Sequence, residues 1–352
     1  MRSNRKAICF TLWFPQHANP RYADLFPRLS SVVDFCKVTL SRQRVIRGVQ
    51  FRVWNLFSRH LIYPTAIKYL ARKYETLFTV SFDQIAAWPK DRSVVVDIDD
   101  PVFSRAEVAA LNLPQVKAIV VTTEQAKSIF EQMGVVRPIY VVPQGVSLGQ
   151  TDPYEVQAIR TQFKRDGDVV IGYHAPTLTL SCDGPHRERQ GLDDLDFLFT
   201  AVEEARKSEP QIKLWLLGET SQSVKKFAAG KSWIKLFGYI PFSDVLNYVW
   251  NFDVAVYPRT YTLPRGRFSI KIVHYMACGI PIISTNVDES FIVKEGSCGI
   301  ICSSQEDFSK ALVESVRSPE SRVELGKAGR NYVETNLDWS VLVPRYRSIL
   351  TG

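Results

Sequence analysis

The 352-residue chain contains no apolar run approaching the roughly 18 residues of a membrane-spanning helix, which excludes a helical membrane protein. It also lacks internal repeats and low-complexity tracts, which excludes solenoids, propellers and linker-like disorder. Cysteine is sparse: Cys9, Cys36, Cys182, Cys278, Cys298 and Cys302 are scattered. The close pair Cys298 and Cys302 has no second Cys or His pair at metal-ligand spacing. A reducing cytoplasm fits this usage. Acidic residues are in deficit, 36 against 44 Lys and Arg, and the net charge of +8 points to an anionic partner such as phosphate, nucleic acid or a membrane surface. The N-terminus opens with Arg2, Arg5 and Lys6, but the apolar stretch Ala7 to Phe14 is short, breaks at Pro15 and lacks a small-residue cleavage site. It reads as a first buried strand, not a signal peptide.

What is present is a well-mixed globular composition, 45% hydrophobic and 12% aromatic, at a length that favours two domains. Apolar β-branched runs alternate with helix-length amphipathic segments, the pattern of parallel sheets with crossover helices. In the first half, strands are expected at Ala7–Phe14, Leu77–Phe82, Ser93–Ile98, Ala118–Thr122 and Ile139–Val142. Helices are expected at Tyr22–Lys37, Val45–Phe57 and Glu124–Met133, the last capped by Thr123. In the second half, strands at Val169–Tyr173, Lys213–Leu217, Ile234–Phe237, Asp253–Tyr257, Pro281–Thr285 and Gly299–Cys302 alternate with helices. The turn-rich stretch Pro143–Pro153 marks a boundary and an expected cleft. The expected domains are 1–148, 149–336 and a last segment, 337–352.

The segment Ser269-Ile-Lys-Ile-Val-His-Tyr-Met-Ala-Cys-Gly-Ile-Pro, followed by Phe291-Ile-Val-Lys-Glu-Gly, resembles the nucleotide-sugar-binding half of GT-B glycosyltransferases of the large retaining family 4, the glycosyl transferases group 1. Supporting pieces occur in that family's order: Pro143-Gln-Gly-Val, Ile171-Gly-Tyr, Trp215-Leu-Leu-Gly-Glu219, Phe237-Gly-Tyr-Ile-Pro241 and Asp253-Val-Ala-Val-Tyr-Pro258. The likeness covers about residues 93 to 350. It implies an α/β GT-B fold, two Rossmann-like doubly wound domains facing across a cleft. The last helix, opened by Trp339, is implied to cross back to the first domain.

A glycine-containing turn running into a helix, Gly266 to Ser269, points free N–H groups and the positive dipole end at an anion, and Arg265, Arg267 and Lys271 add full charges. The bland alternative is a capped helix with solvated basic residues. The resemblance implies a nucleotide diphosphate here, with Phe268, Ser269 and Ile270 in the donor-binding turn and Gly218 and Glu219 nearby. It also implies His174 among the catalytic groups at the end of the domain's first strand. Where the family carries Glu-x7-Glu, with the second Glu gripping the ribose hydroxyls, this chain has Gly266 and His274. An imidazole can still donate to or accept from a hydroxyl. Alternatively, His274 is a helix-face residue satisfied by a neighbour. Arg187 and Arg189 stand where the family clamps the diphosphate, or are solvated loop charges. Tyr239 and Ile240 lie where the family reads the base, or end a strand.

Val94-Val-Val-Asp-Ile-Asp-Asp-Pro delivers three carboxylates to a strand end, where α/β sites are built. Asp97 and Asp99 look like the metal-binding pair of GT-A enzymes, or the nucleophile and acid of haloacid-dehalogenase-type phosphatases. As a third reading, the resemblance puts Asp99 and Asp100 at the acceptor side of a GT-B cleft, where Asp99 would orient or deprotonate the acceptor hydroxyl. An Asp capping the turn before Pro101 is the structural alternative. In the loop after the first strand, His17, Asn19 and Tyr22 are acceptor-binding candidates in place of the family's Gly-Gly. The basic 37–73 segment holds arginines beside Phe51 and Trp54, a face suited to anionic lipid or to a solvated helix surface. The resemblance implies a sugar donor that is a nucleotide diphosphate, UDP by family frequency, a glycan, lipid-linked or small-molecule acceptor, no metal or other cofactor and no nucleic acid. The placement implied is cytoplasmic, at the inner membrane face. A catalytically silent GT-B scaffold is the rival of a different class.

Overall fold

A computed structural model describes residues 7–13, 20–39, 63–183, 195–260 and 266–352. Within these, the chain divides into two compact units. One holds the chain up to Gln144, residues 266–268 and Trp339–Gly352; the other runs from Gly145 and from Ser269 to Asp338. The expected boundaries, 148/149 and 336/337, sit a few residues from those at 144/145 and 338/339.

The first unit is a parallel sheet in the order β2-β1-β3-β4-β5-β6. Its strands are β1 (Ala7–Trp13), β2 (Val33–Thr39), β3 (Thr76–Thr79), β4 (Ser93–Ile98), β5 (Val116–Val121) and β6 (Ile139–Val141). The helices α1 (Pro20–Arg28), α2 (Tyr63–Leu70), α3 (Arg105–Leu111) and α4 (Glu124–Gln132) accompany it. Near-continuous β-branched runs such as Val94-Val-Val are buried because a parallel sheet is covered on both faces. Thr123 caps α4 as expected, its hydroxyl accepting from the Ala126 amide at 3.0 Å.

Two expectations fail here. The helix expected at Tyr22–Lys37 ends at Arg28, and Val33–Thr39 forms strand β2, in register with β1 from Ala7↔Val33. Val32-Val-Asp-Phe-Cys-Lys-Val fits either period over so short a run, and pairing with β1 decides it. The strand expected at Leu77–Phe82 stops at Thr79, whose hydroxyl accepts from the Ser81 amide at 3.1 Å and turns the chain into a 3-10 segment, Phe82–Ala87. The helix expected at Val45–Phe57 lies outside the described residues, as does most of the basic 37–73 segment.

The second unit carries β7 (Val169–Leu178), β8 (Ile212–Thr220), β9 (Ile234–Gly238), β10 (Val254–Tyr257), β11 (Ile282–Thr285) and β12 (Gly299–Cys302). Its helices are α5 (Pro153–Phe163), α6 (Leu195–Arg206), α7 (Gln222–Ala228), α8 (Val245–Val249), α9 (Ile270–Ala277), α10 (Phe291–Glu295), α11 (Gln305–Arg317) and α12 (Pro319–Asn336). The order β12-β11-β10-β7-β8-β9 is that of a dinucleotide-binding fold, with the first strand β7 beside β10 at the topological switch point. Ligands of such sheets bind where the strand order reverses. Gly172 on β7 is dictated by packing: a Cβ there would lie 2.0 Å from the Phe252 ring.

The last helix, α13 (Trp339–Thr351), belongs to the first unit. It buries Trp339, Leu342, Val343, Tyr346 and Leu350 in the core with Tyr22, Phe26 and Phe78, and the Trp339 indole donates to Asp24 at 3.1 Å. No described helix is long and apolar enough to cross a membrane.

Candidate functional site

At the switch point of the second unit, β7 delivers Tyr173 and His174, β10 ends on Tyr257, and α9 places Lys271 and His274 one turn apart on one face. Lys271 is 8% exposed; its ammonium donates to the Tyr173 hydroxyl at 3.2 Å and lies over the Tyr173 and Tyr257 rings. His174 and His274 stack, with His274 Nδ1 3.4 Å from His174 Nε2. The His174 amide donates to the Tyr275 hydroxyl at 3.3 Å. Burial pushes the His274 imidazole down to about 4. Burial first, then His274 and the Lys271 charge, hold His174 well below the ordinary imidazole value. Near neutral pH the cluster therefore holds one ammonium beside two uncharged imidazoles. This suits an anionic, hydroxyl-bearing ligand.

Other donor-side residues are placed less uniformly. Gly218 has φ +145, and a Cβ on it would lie 2.0 Å from the Ala175 carbonyl, so the glycine is required by close backbone approach. Glu219 and Tyr239 are exposed, and Ile240 is half-buried. Ser269 caps α9 without a side-chain hydrogen bond, and Ile270 opens the helix. Arg187, Arg189 and Arg265 lie outside the described residues. The expectation of free N–H groups at Gly266 is corrected: its amide donates to Gln125 Oε1 at 2.7 Å, and its carbonyl accepts from the Thr123 hydroxyl at 2.9 Å. Gly266 has φ +83 and a Cβ on it would press on Ala126, so this turn is seated on α4. Arg267 pairs with Asp100 at 3.6 Å, and Phe268 is half-buried.

In the first unit the three carboxylates part company. Asp97 is fully buried: Oδ1 accepts from Arg21 Nε and the Tyr22 hydroxyl, both at 3.2 Å, and Oδ2 from Arg21 Nη2 at 3.5 Å and the Tyr346 hydroxyl. Arg21 also donates to the Val142 and Pro143 carbonyls at 2.8 Å. This network joins α1, β4 and α13. Tyr22, expected to meet an acceptor, is instead turned inward onto Asp97, because an unpaired buried carboxylate would cost more than the exposed hydroxyl could gain. Asp99 is half-buried and accepts from the Gln144 amide. Asp100 is exposed. His17 and Asn19 lie outside the described residues.

Sequence reading missed Tyr173 and Tyr257 as partners of Lys271. The available signal was a tyrosine closing each of two apolar strands, a ring that packs and a hydroxyl that needs a partner. It also missed the pair Arg259 and Glu289, both buried and 2.7 Å apart, for which no local signal exists.

The family model described as "Glycosyl transferases group 1" matches residues 184–318. A GDP-mannose-dependent monoacylated alpha-(1-6)-phosphatidylinositol monomannoside mannosyltransferase of Corynebacterium glutamicum is 23% identical over 188 residues, which are 51% of this chain and 49% of that protein. The chain thus spans about half the length of the curated relative it matches. Among solved structures, Anabaena HepE in complex with UDP and glucose superposes with a TM-score of 0.71 at 12% identity, over 98% of this chain and 99% of that one. Sucrose-phosphate synthase from Thermosynechococcus elongatus gives 0.72 at 16% identity, over 98% of each chain. Those two likenesses show the fold, two Rossmann-like domains of the GT-B type, and residues 184–318 of the second unit are similar to the glycosyl transferases group 1 family.

Proposed function

We propose that the chain is a retaining glycosyltransferase of family 4. It moves a sugar from a nucleotide-diphosphate donor, a UDP-sugar in the first instance, to a hydroxyl of a glycan, lipid-linked or small-molecule acceptor in envelope polysaccharide or glycoconjugate synthesis. The observation that carries this reading is the cluster of Lys271, Tyr173, His174 and His274 at the switch point of the second sheet. Lys271 would stabilise the departing diphosphate, and His274 would meet a donor hydroxyl. Asp99, half-buried and accepting from the Gln144 amide, is the proposed acceptor-orienting carboxylate. The bound UDP and glucose of Anabaena HepE support the donor class. We propose metal-independent action at the cytoplasmic membrane face, the basic 37–73 segment resting on anionic lipid. Asp97 supports metal independence, since Arg21, Tyr22 and Tyr346 already occupy both its oxygens.

The test is calorimetric titration with UDP, GDP, ADP and dTDP, with Mg²⁺ and then with excess chelator, on the wild-type protein and on Lys271→Ala. One nucleotide should bind in either medium, and Lys271→Ala should weaken it by about 10- to 100-fold, the worth of a hydrogen bond from a charged group. Binding of none would favour the silent scaffold, and binding lost in chelator would refute metal independence. Retention is tested by the anomeric configuration of the product in NMR.

A further inference from the structure

The hydrogen bond between the two histidines has a consequence for what the pocket can read. His274 Nδ1 and His174 Nε2 are taken up with each other. Among the described residues, neither His274 Nε2 nor His174 Nδ1 has a hydrogen-bond partner. In a neutral pair one ring donates and the other accepts, so the two remaining nitrogens have opposite senses. If His274 Nδ1 carries the proton, His274 Nε2 is an acceptor and His174 Nδ1 a donor; in the other tautomer both roles reverse. A hydroxyl that donates at one end therefore fixes the sense of the other. The stacked rings, 5.2 Å apart with the Phe242 ring 5.5 Å from His274, hold the imidazoles against rotation. Tyr275, against the His174 backbone and ring, fixes the strand side.

We infer that His174 and His274 bind the donor as one unit, in which α9 offers a vicinal diol a single nitrogen, so that the donor's ribose is held there through one hydroxyl at most. This rests on the nucleotide-sugar reading above. A single side chain holds both hydroxyls of a vicinal diol only if it offers two polar atoms, as a carboxylate does. His274 has one ring nitrogen left. His174 is a positioning residue in this scheme: its Nε2 selects which way the His274 ring presents its free edge.

The experiment measures affinities of the wild-type protein for UDP, GDP and ADP and for the 2′-deoxy and 3′-deoxy forms of whichever binds. One deoxy form should bind within about twofold of the parent, and the other should lose about fivefold or more, one neutral hydrogen bond. His174→Gln, which can still bond His274 Nδ1, should keep that pattern. His174→Phe, which keeps a stacked ring but removes the partner nitrogen, should erase the difference between the two deoxy forms. Losses of fivefold or more for both deoxy forms in the wild type would overturn the inference while leaving the donor site intact. An unchanged pattern in His174→Phe would overturn the positioning role. No nucleotide binding at all would overturn the nucleotide-sugar reading and this inference together.

Discussion

A buried uncharged histidine is a stability device as well as a binding group, and its pH dependence is calculable. In the unfolded chain His274 takes its proton near pH 6.5, as a histidine in water does, whereas burial holds the folded imidazole at about 4. Between those values unfolding takes up a proton, so the stability contributed by this group is fully present above the unfolded value and is lost as pH falls toward the folded one. The full difference corresponds to about 3 kcal/mol, of which about 2 kcal/mol is gone by pH 5. His174 is displaced in the same direction and steepens the slope. His274→Gln cannot gain a proton. Its destabilisation relative to wild type, measured by urea unfolding, should therefore shrink by about 2 kcal/mol between pH 8 and pH 5. In thermal unfolding the gap in Tm should narrow by roughly 4–8 °C. The carboxylates and the basic surface are common to both proteins and cancel in the comparison. A gap of equal size at the two pH values would refute the reasoning.

Two further outcomes follow from other parts of the fold. Gly299 opens β12 opposite Ile282, and a Cβ there would lie 1.9 Å from the Ile282 carbonyl oxygen. Gly299→Ala should cost about 2 kcal/mol or more, since the atom the new Cβ meets is backbone of the paired strand β11 and not the end of a flexible side chain, and an unaltered urea midpoint would contradict this. Arg21→Met leaves the Asp97 carboxylate buried without its guanidinium and should destabilise the first unit by about 3–5 kcal/mol. Nucleotide affinity in calorimetry should be unchanged at a temperature where the variant is folded, because Lys271 and the histidine pair belong to the other unit; a loss of binding by the folded variant would count against that separation.

The α/β rhythm of this protein was legible in its sequence, because buried parallel strands need unbroken apolar runs and helices need the 3.6-residue period. Ser93–Ile98 and Gly299–Cys302 coincide with the observed strands. Thr123 announced its helix because a capping hydroxyl acts within three residues. Elements decided by a distant partner were not legible. Val33–Thr39 became a strand because β1 was there to pair with it, and Tyr22 turned inward because Arg21 and Tyr346 had already drawn Asp97 into the core. The candidate site divides in the same way. Lys271 and His274 stood out in the Ser269–Cys278 segment, but their meeting with Tyr173, His174 and Tyr257 depends on the sheet order, which sets β7 beside β10 and brings together residues about a hundred positions apart. Local sequence determined most of the strands and helices and the Thr123 cap, since those preferences act over a few residues, while the short run Val33–Thr39 was left to its partner strand. Tertiary structure alone decided which polar groups share a proton, a charge or a ligand, since that depends on which strand ends the fold places side by side.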